Sequence, residues 1–272
     1  MVERFKGKVA IVTGAGQGIG ASHALAFARE GAYVVVADIG QNLPETDYKM
    51  STITEMDQVV NEIEDLGGKA LGIKCDVRNA DDVEKMVDEV IREFGRIDIL
   101  VNNAGVAFTA TPLWKVTEKN FDLVNDVMFK GTFLCSKYVI PHMISKKYGK
   151  IVNTGSISAR GQKWNATYSA VKAGIHAFTL AMAKDVGDHN INVNCVAPGN
   201  VLTEMSEKAV RDYSRGSVDV DKYFSDACKR AHILGEKILP KDISDTVLFL
   251  CSEEARNING SVIYVDGGYL TI

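Results

Sequence analysis

Val9-Ala-Ile-Val-Thr13-Gly14-Ala-Gly-Gln17-Gly18-Ile19-Gly20 sets a short β-branched run against a glycine-rich turn, and the helix-period segment Ser22 to Glu30, with alanines on its packing face, follows. A strand that turns this way into a helix points free backbone N–H groups at whatever lies above its end, which suits a pyrophosphate. Gly14 allows the tight turn, Gly18 lets phosphates approach the backbone, and Gly20 lets the helix pack closely on the strand. A glycine turn alone is common between a strand and a helix. Asp38 makes this one specific, because it closes the next strand, Ala32 to Ala37, eighteen positions beyond Gly20. A carboxylate there can accept from both hydroxyls of an adenosine ribose, and it repels a 2′-phosphate. Neither Gln17 nor Ile39 and Gly40 offers the arginine that would welcome one, so the pattern favours NAD over NADP.

The same alternation continues along the chain. Helices are expected over Met56 to Leu66, Ala80 to Phe94, Thr117 to Met143, Tyr168 to Gly187 and Asp242 to Leu250. Strands are expected over Ala70 to Cys75, Ile97 to Val101, Lys150 to Thr154, Ile191 to Val196 and Ser261 to Val265. Repeated βαβ units of this kind predict an α/β fold, one doubly wound, seven-stranded parallel sheet spanning residues 1–272 as a single domain. Two segments break the rhythm: Gly40 to Thr54, polar and aperiodic, and Thr203 to Pro240, too long for an ordinary connection. The first reads as an insertion and the second as a substrate lid, with decoration or an oligomer contact as the alternative.

Composition narrows the functions. The 272 residues are 46% hydrophobic, which excludes a disordered chain, and the 31 basic and 35 acidic residues are interspersed, which argues against a nucleic-acid partner. Residues 1–8 carry four charges and resemble neither a signal sequence nor a membrane span, so a cytoplasmic protein without a membrane is expected. Five scattered cysteines without a C-x-x-C pair suggest reduced, structural thiols. His23, His142, His176, His189 and His232 lack ligand spacing, and no metal is expected.

Several ordered motifs carry a resemblance: the glycine turn, Asp76-Val77, Asn102-Asn103-Ala104-Gly105, Ser156, Tyr168-Ser-Ala-Val-Lys172, Pro198-Gly199 and Val265-Asp-Gly-Gly268. Together they resemble the short-chain dehydrogenase/reductase family over nearly the whole chain. The resemblance implies a Rossmann-like sheet and hydride transfer between NAD(P) and an alcohol or carbonyl. It places Asp76 and Val77 at the adenine and Asn103, Ala104 and Gly105 beside its ribose. Pro198, Val201 and Thr203 would lie about the nicotinamide, and Lys172 would hold the nicotinamide ribose.

The chemistry can be argued from the residues as well. Tyr168 and Lys172 stand four apart on a helix and share a face, so an ammonium near the phenol would favour its ionised form. Tyr168 could then take a proton from an alcohol or return it to a ketone. Ser156, just after the fifth strand, could donate to the substrate oxygen, with Ser158 as fallback. The loop from Ser156 to Tyr168 is one residue shorter than the family pattern, and Gly155 stands where a first serine is common. A larger departure is Met128, where the family usually carries an asparagine that helps hold a relay water; a thioether cannot hold water firmly. Asn125 lies one turn earlier. Either Asn125 substitutes, or the relay is altered, or the protein binds NAD with poor turnover as a sensor or scaffold.

The insertion near residues 40–54 resembles that of the mycofactocin-coupled subgroup, which includes carveol-dehydrogenase-like enzymes. That resemblance implies NAD held without free exchange and electrons passed to a separate carrier. Phe108, Trp114, Trp164, Met205, Tyr213, Tyr223 and Phe224 fall in candidate loops and suggest a partly apolar pocket for a small alcohol or ketone. Core or interface packing explains such aromatics equally well. The apolar content of the long helices, with Tyr269 to Ile272, and the resemblance suggest a homotetramer.

Overall fold

The computed structural model describes residues 3–46, 48–108, 110–203, 206–207, 210–211 and 219–271. Seven strands form one all-parallel sheet in the order β3-β2-β1-β4-β5-β6-β7. They are β1 Val9–Thr13, β2 Tyr33–Asp38, β3 Lys69–Lys74, β4 Ile99–Asn102, β5 Gly149–Thr154, β6 Ile191–Pro198 and β7 Val262–Val265. The order reverses between β1 and β4, and the crevice above the carboxyl ends of such a switch point is where this architecture places ligands.

Side-chain alternation assigns the two faces. Val9 and Ile11 of β1 pack into one core with α3 (Ala80–Phe94), α5 (Gly131–Lys146) and α6 (Ala166–Val186). Ala10 and Val12 pack into the other, against α1 (Gly18–Arg29), α2 (Ile53–Asp65) and α8 (Pro240–Cys251). With both faces covered, β1 is buried throughout, which is why it reads as a continuous apolar run. Across the second face, Ser244 of α8 meets His23 Nδ1 and Ser22 Oγ of α1, each at 2.8 Å.

Several boundaries differ from the sequence expectation. Helix α1 begins at Gly18 rather than Ser22, because its hydrogen-bond ladder starts inside the glycine turn, where the Ala21 N–H donates to the Gln17 carbonyl at 3.2 Å. Helix α2 begins at Ile53 rather than Met56: the Thr52 N–H donates to Glu55 at 2.8 Å in a capping box, a pattern visible in the sequence but overlooked there.

The expected helix Thr117 to Met143 is three pieces: α4 (Glu118–Val124), a π-helical turn (Asn125–Lys130) and α5. At the break, Gly131 meets Val77 so closely that a Cβ would lie 2.7 Å from its side chain. The Thr132 hydroxyl donates to the Met128 carbonyl at 2.6 Å. Within 203–240, α7 (Val220–Ala231) presents Phe224 and Cys228 to Val210 in a small separate cluster, and Val201 bridges to Ile238.

All five cysteines are buried free thiols. Among the described residues, no group of three His, Cys, Asp or Glu is placed to hold a metal ion, and no helix is long and apolar enough to cross a membrane.

Candidate active site

A cavity of about 440 Å³ opens above the carboxyl ends of β1, β2, β4, β5 and β6. Its wall includes Gly14, Gln17, Gly18, Ile19, Gly20, Asp38, Ile39, Asp76, Val77, Asn103, Ala104, Gly105, Ser156, Tyr168, Lys172, Pro198, Val201 and Thr203. One expected residue is not there. Asn125 is half-buried at the start of the π-helical turn and does not line the cavity, whereas Val127 and Met128 do. The wider π turn alters the one-face relation that Asn125 and Met128 would have on a regular α-helix.

The glycine turn forms the floor. Gly14 and Gly18 adopt φ of 64° and 59°, a backbone that favours glycine. A Cβ on Gly14 would lie 2.8 Å from the Ala104 backbone, and one on Gly20 only 2.0 Å from the Gly14 carbonyl oxygen. Asn103 fastens this floor: its side-chain amide donates to the carbonyls of Thr13 and Gly14 at 3.0 and 3.2 Å. Its amide is therefore committed to shaping the turn, beyond the contact with a ribose expected of it.

Asp38 is 5% exposed and already well bonded. The Gly16 N–H donates to Oδ2 at 2.9 Å, the Gly40 N–H to Oδ1 at 3.0 Å, and the Ser51 hydroxyl to Oδ1 at 2.5 Å. Sequence reasoning missed Ser51. The insertion folds back over the crevice mouth, where Leu43, Tyr48, Met50 and Ser51 join its wall, and the Asn42 side chain accepts the Met50 N–H at 2.8 Å. The signal that could have found it is the Thr52-x-x-Glu55 capping box, which makes Ser51 the residue leading into α2.

Asp76 turns onto Arg78, with Oδ2 2.6 Å from a guanidinium nitrogen. Burial pushes its carboxyl up, but the Arg78 hydrogen bonds outweigh that and hold it below the usual range.

At the far end, Lys172 is 4% exposed and its ammonium donates to the Thr154 carbonyl at 2.7 Å. Burial lowers its pKa to about 8. The Nζ lies 5.6 Å from the centre of the Tyr168 ring. The phenol does not stand below its ordinary value, as the spacing led us to expect. Burial raises it, and a hydrogen bond with Ser156 opposes the rise only in part.

Ser156 Oγ accepts the Ser158 N–H at 3.1 Å, which leaves its hydroxyl proton for Tyr168. The fallback, Ser158, gives its own hydroxyl to Gln162 at 2.7 Å. The geometry thus prefers Ser156. The buried Thr154 Oγ1, also on the wall, finds no partner among the described residues. An orphaned hydroxyl and a glycine floor with no room for side chains both fit a bound dinucleotide.

The aromatic side chains divide. Phe108 lines the cavity. Trp114 is 81% exposed and Phe224 belongs to the separate cluster, against which Tyr223 packs. Trp164, at φ 61°, is held by the Thr111 N–H on its carbonyl at 2.7 Å and lies outside the main cavity wall. Met205 and Tyr213 lie outside the described residues.

Comparison with known proteins agrees with this architecture. The enoyl-(acyl carrier protein) reductase family profile matches residues 14–270. The 3-oxoacyl-[acyl-carrier-protein] reductase FabG of Thermotoga maritima is 36% identical, covering 97% of this chain and 98% of its own. A (2S)-[(R)-hydroxy(phenyl)methyl]succinyl-CoA dehydrogenase subunit of Thauera aromatica is 37% identical, covering 97% of both. Among solved structures, carveol dehydrogenase from Mycobacterium avium in complex with NAD superposes with a TM-score of 0.94 at 32% identity, over 99% of each chain. With kinship running the length of the sheet and its crevice, the chain belongs to the short-chain dehydrogenase/reductase family.

Proposed function

We propose that the protein is an NAD-dependent dehydrogenase of secondary alcohols, acting equally as a reductase of the corresponding ketones. The observation that carries this reading is the convergence of Ser156, Tyr168 and Lys172 on one end of a crevice whose other end is the glycine floor and Asp38. The cofactor is NAD, with α1 facing its pyrophosphate and Asp38 its adenosine ribose; when bound it accepts or supplies the hydride. Tyr168 exchanges the proton with the substrate oxygen, and Ser156 steadies charge on that oxygen. With its pKa raised, the phenol is protonated at neutral pH and set to donate to a ketone. Oxidation needs the phenolate, which the Ser156 hydrogen bond favours. Lys172, anchored on the Thr154 carbonyl, keeps its other N–H donors for the nicotinamide ribose beside the phenol.

The names of the relatives fit ketone and alcohol chemistry, from 3-oxoacyl groups to carveol. Leu43, Phe108, Met128 and Ile157 give the cavity an apolar side suited to a compact hydrophobic substrate. The insertion over Asp38 supports membership of the mycofactocin-coupled subgroup, with slow NAD exchange and a separate electron carrier. We further assign the chain to one Rossmann-like domain with a substrate lid near 203–240, assembled as a homotetramer. Incubation with NAD or NADH and a panel of alcohols and ketones, followed by nicotinamide absorbance, tests the reading. Turnover of a cyclic or branched secondary alcohol is expected.

Met128 favours a second reading. Its carbonyl is occupied by Thr132, its side chain is 1% exposed, and Asn125 is off the cavity wall, so the expected relay has no polar anchor there. Tight NADH binding without turnover of any panel member would favour a non-catalytic sensor or scaffold.

A further inference from the structure

Gly155 lies between two residues of the proposed site. Thr154 before it accepts the Lys172 ammonium, and Ser156 after it bonds to Tyr168. Its missing side chain is not replaced by empty space. A Cβ there would lie 2.3 Å from Nε2 of His176 and 2.7 Å from Sγ of Cys195. His176 stands one turn beyond Lys172 on α6, and its Nε2 is buried without a hydrogen-bond partner among the described residues. Tyr264 of β7 packs edge-on against the ring, with centroids 6.1 Å apart.

We propose that His176 is a positioning residue for Lys172 and Ser156: seated in the space that Gly155 leaves, its imidazole fixes the peptide corner from which Thr154 takes the ammonium and Ser156 presents its hydroxyl. The inference rests on the catalytic reading of Lys172 and Ser156 given above. A histidine in this place is pushed toward its neutral form. Burial disfavours the imidazolium most, and the Lys172 and Arg160 cations add to the effect. Cys195, approaching from β6, brings no anion, since burial raises its thiol to about 12 despite the nearby ammonium. The Tyr264 ring stands at 77° to the imidazole. Protonation in acid would place a third cation at the corner and loosen it.

Three variants test this: Gly155→Ser, His176→Val and the double variant. The serine should displace the imidazole and lower kcat by about tenfold or more, since small misplacements at a reacting centre are costly. His176→Val should lower kcat several-fold with little change in KM, and should remove an acid limb from the pH profile. The double variant should recover part of the loss of Gly155→Ser, because valine removes the closer of the two clashes while the 2.7 Å approach to Cys195 Sγ remains. Single effects that simply multiply in the double variant would overturn the proposal.

A second measurement does not depend on a substrate. In protein labelled at histidine Cε1, the NMR signal missing from His176→Val should titrate below the ordinary histidine range and move up in Lys172→Met. A normal titration, unmoved by Lys172→Met, would also overturn the proposal. If the wild type bound no NADH, the cofactor reading would fail, and this titration would still decide the coupling.

Discussion

Ser51 donates its hydroxyl to Asp38 Oδ1 at 2.5 Å, across thirteen positions of sequence, and so joins the insertion to the residue proposed to read the adenosine ribose. Its Cβ sits where a side chain on Gly16 would clash, at 2.7 Å. Insertion, glycine turn and carboxylate therefore meet at one point. Ser51→Ala should speed NADH release, and deleting residues 41–49 should speed it further, by about tenfold, a change of about 1.4 kcal/mol. Stopped-flow dissociation measures this. An unchanged off-rate would show that the insertion does not retain the cofactor.

Cofactor choice should follow Asp38. A 2′-phosphate would face a carboxylate that is 5% exposed, where water screens little. Asp38→Ser should narrow the preference for NAD over NADP by at least about tenfold, read from the two dissociation constants. Equal affinity of the wild type for both would refute the placement.

Tyr168→Phe keeps the ring and removes the one group assigned to move the proton. Turnover should fall by about a hundredfold or more, the scale of general acid-base catalysis, while Tm changes little. Unchanged turnover of a verified substrate would remove Tyr168 from the mechanism.

His23 is fully buried between α1 and α8, and burial lowers its pKa to about 3. The unfolded chain therefore binds a proton that the folded one refuses between about pH 6.5 and 3. The stability tied to neutral His23 is present above pH 6.5 and is lost as pH falls through that window. His23→Gln should flatten this part of the stability curve, measured as denaturant midpoint against pH.

Phe121 and Phe133, near the broken α4–α5 helix, and Leu180 on α6 are each 44–49% exposed. Large apolar side chains on these helices are expected to be covered by other copies of the chain. Light scattering should give a tetramer for the wild type and smaller species for Phe133→Glu. A monomeric wild type at micromolar concentration would reject the assembly.

Much of this architecture was readable because its signals are local. The run Val9 to Thr13 is apolar at every position since both faces of β1 are covered, and glycine positions 14, 18 and 20 report backbone geometry directly. What escaped depends on contacts distant in sequence. Ser51 is a polar residue in an aperiodic stretch until the fold lays it on Asp38. The π-helical turn at Asn125 arises where Gly131 meets Val77, a contact no helical period reveals. The direction of the Tyr168 shift was misjudged because the spacing to Lys172 shows proximity but neither the depth of burial nor the carbonyl of Thr154 that takes the ammonium.

The clasp of Ser22 and His23 on Ser244 bears on how the chain acquires its shape during synthesis. Helix α1 is made within the first thirty residues, yet the helix that shelters its apolar side ends at Cys251. A nascent chain that has emerged only through β5 would still show Ala24, Phe27 and Ala28 uncovered by α8. Such surfaces are what chaperones bind and what drives aggregation. A ribosome stalled before residue 240 would therefore hold a chain whose glycine turn is written but unsupported, and competence to bind a dinucleotide should arise only near release.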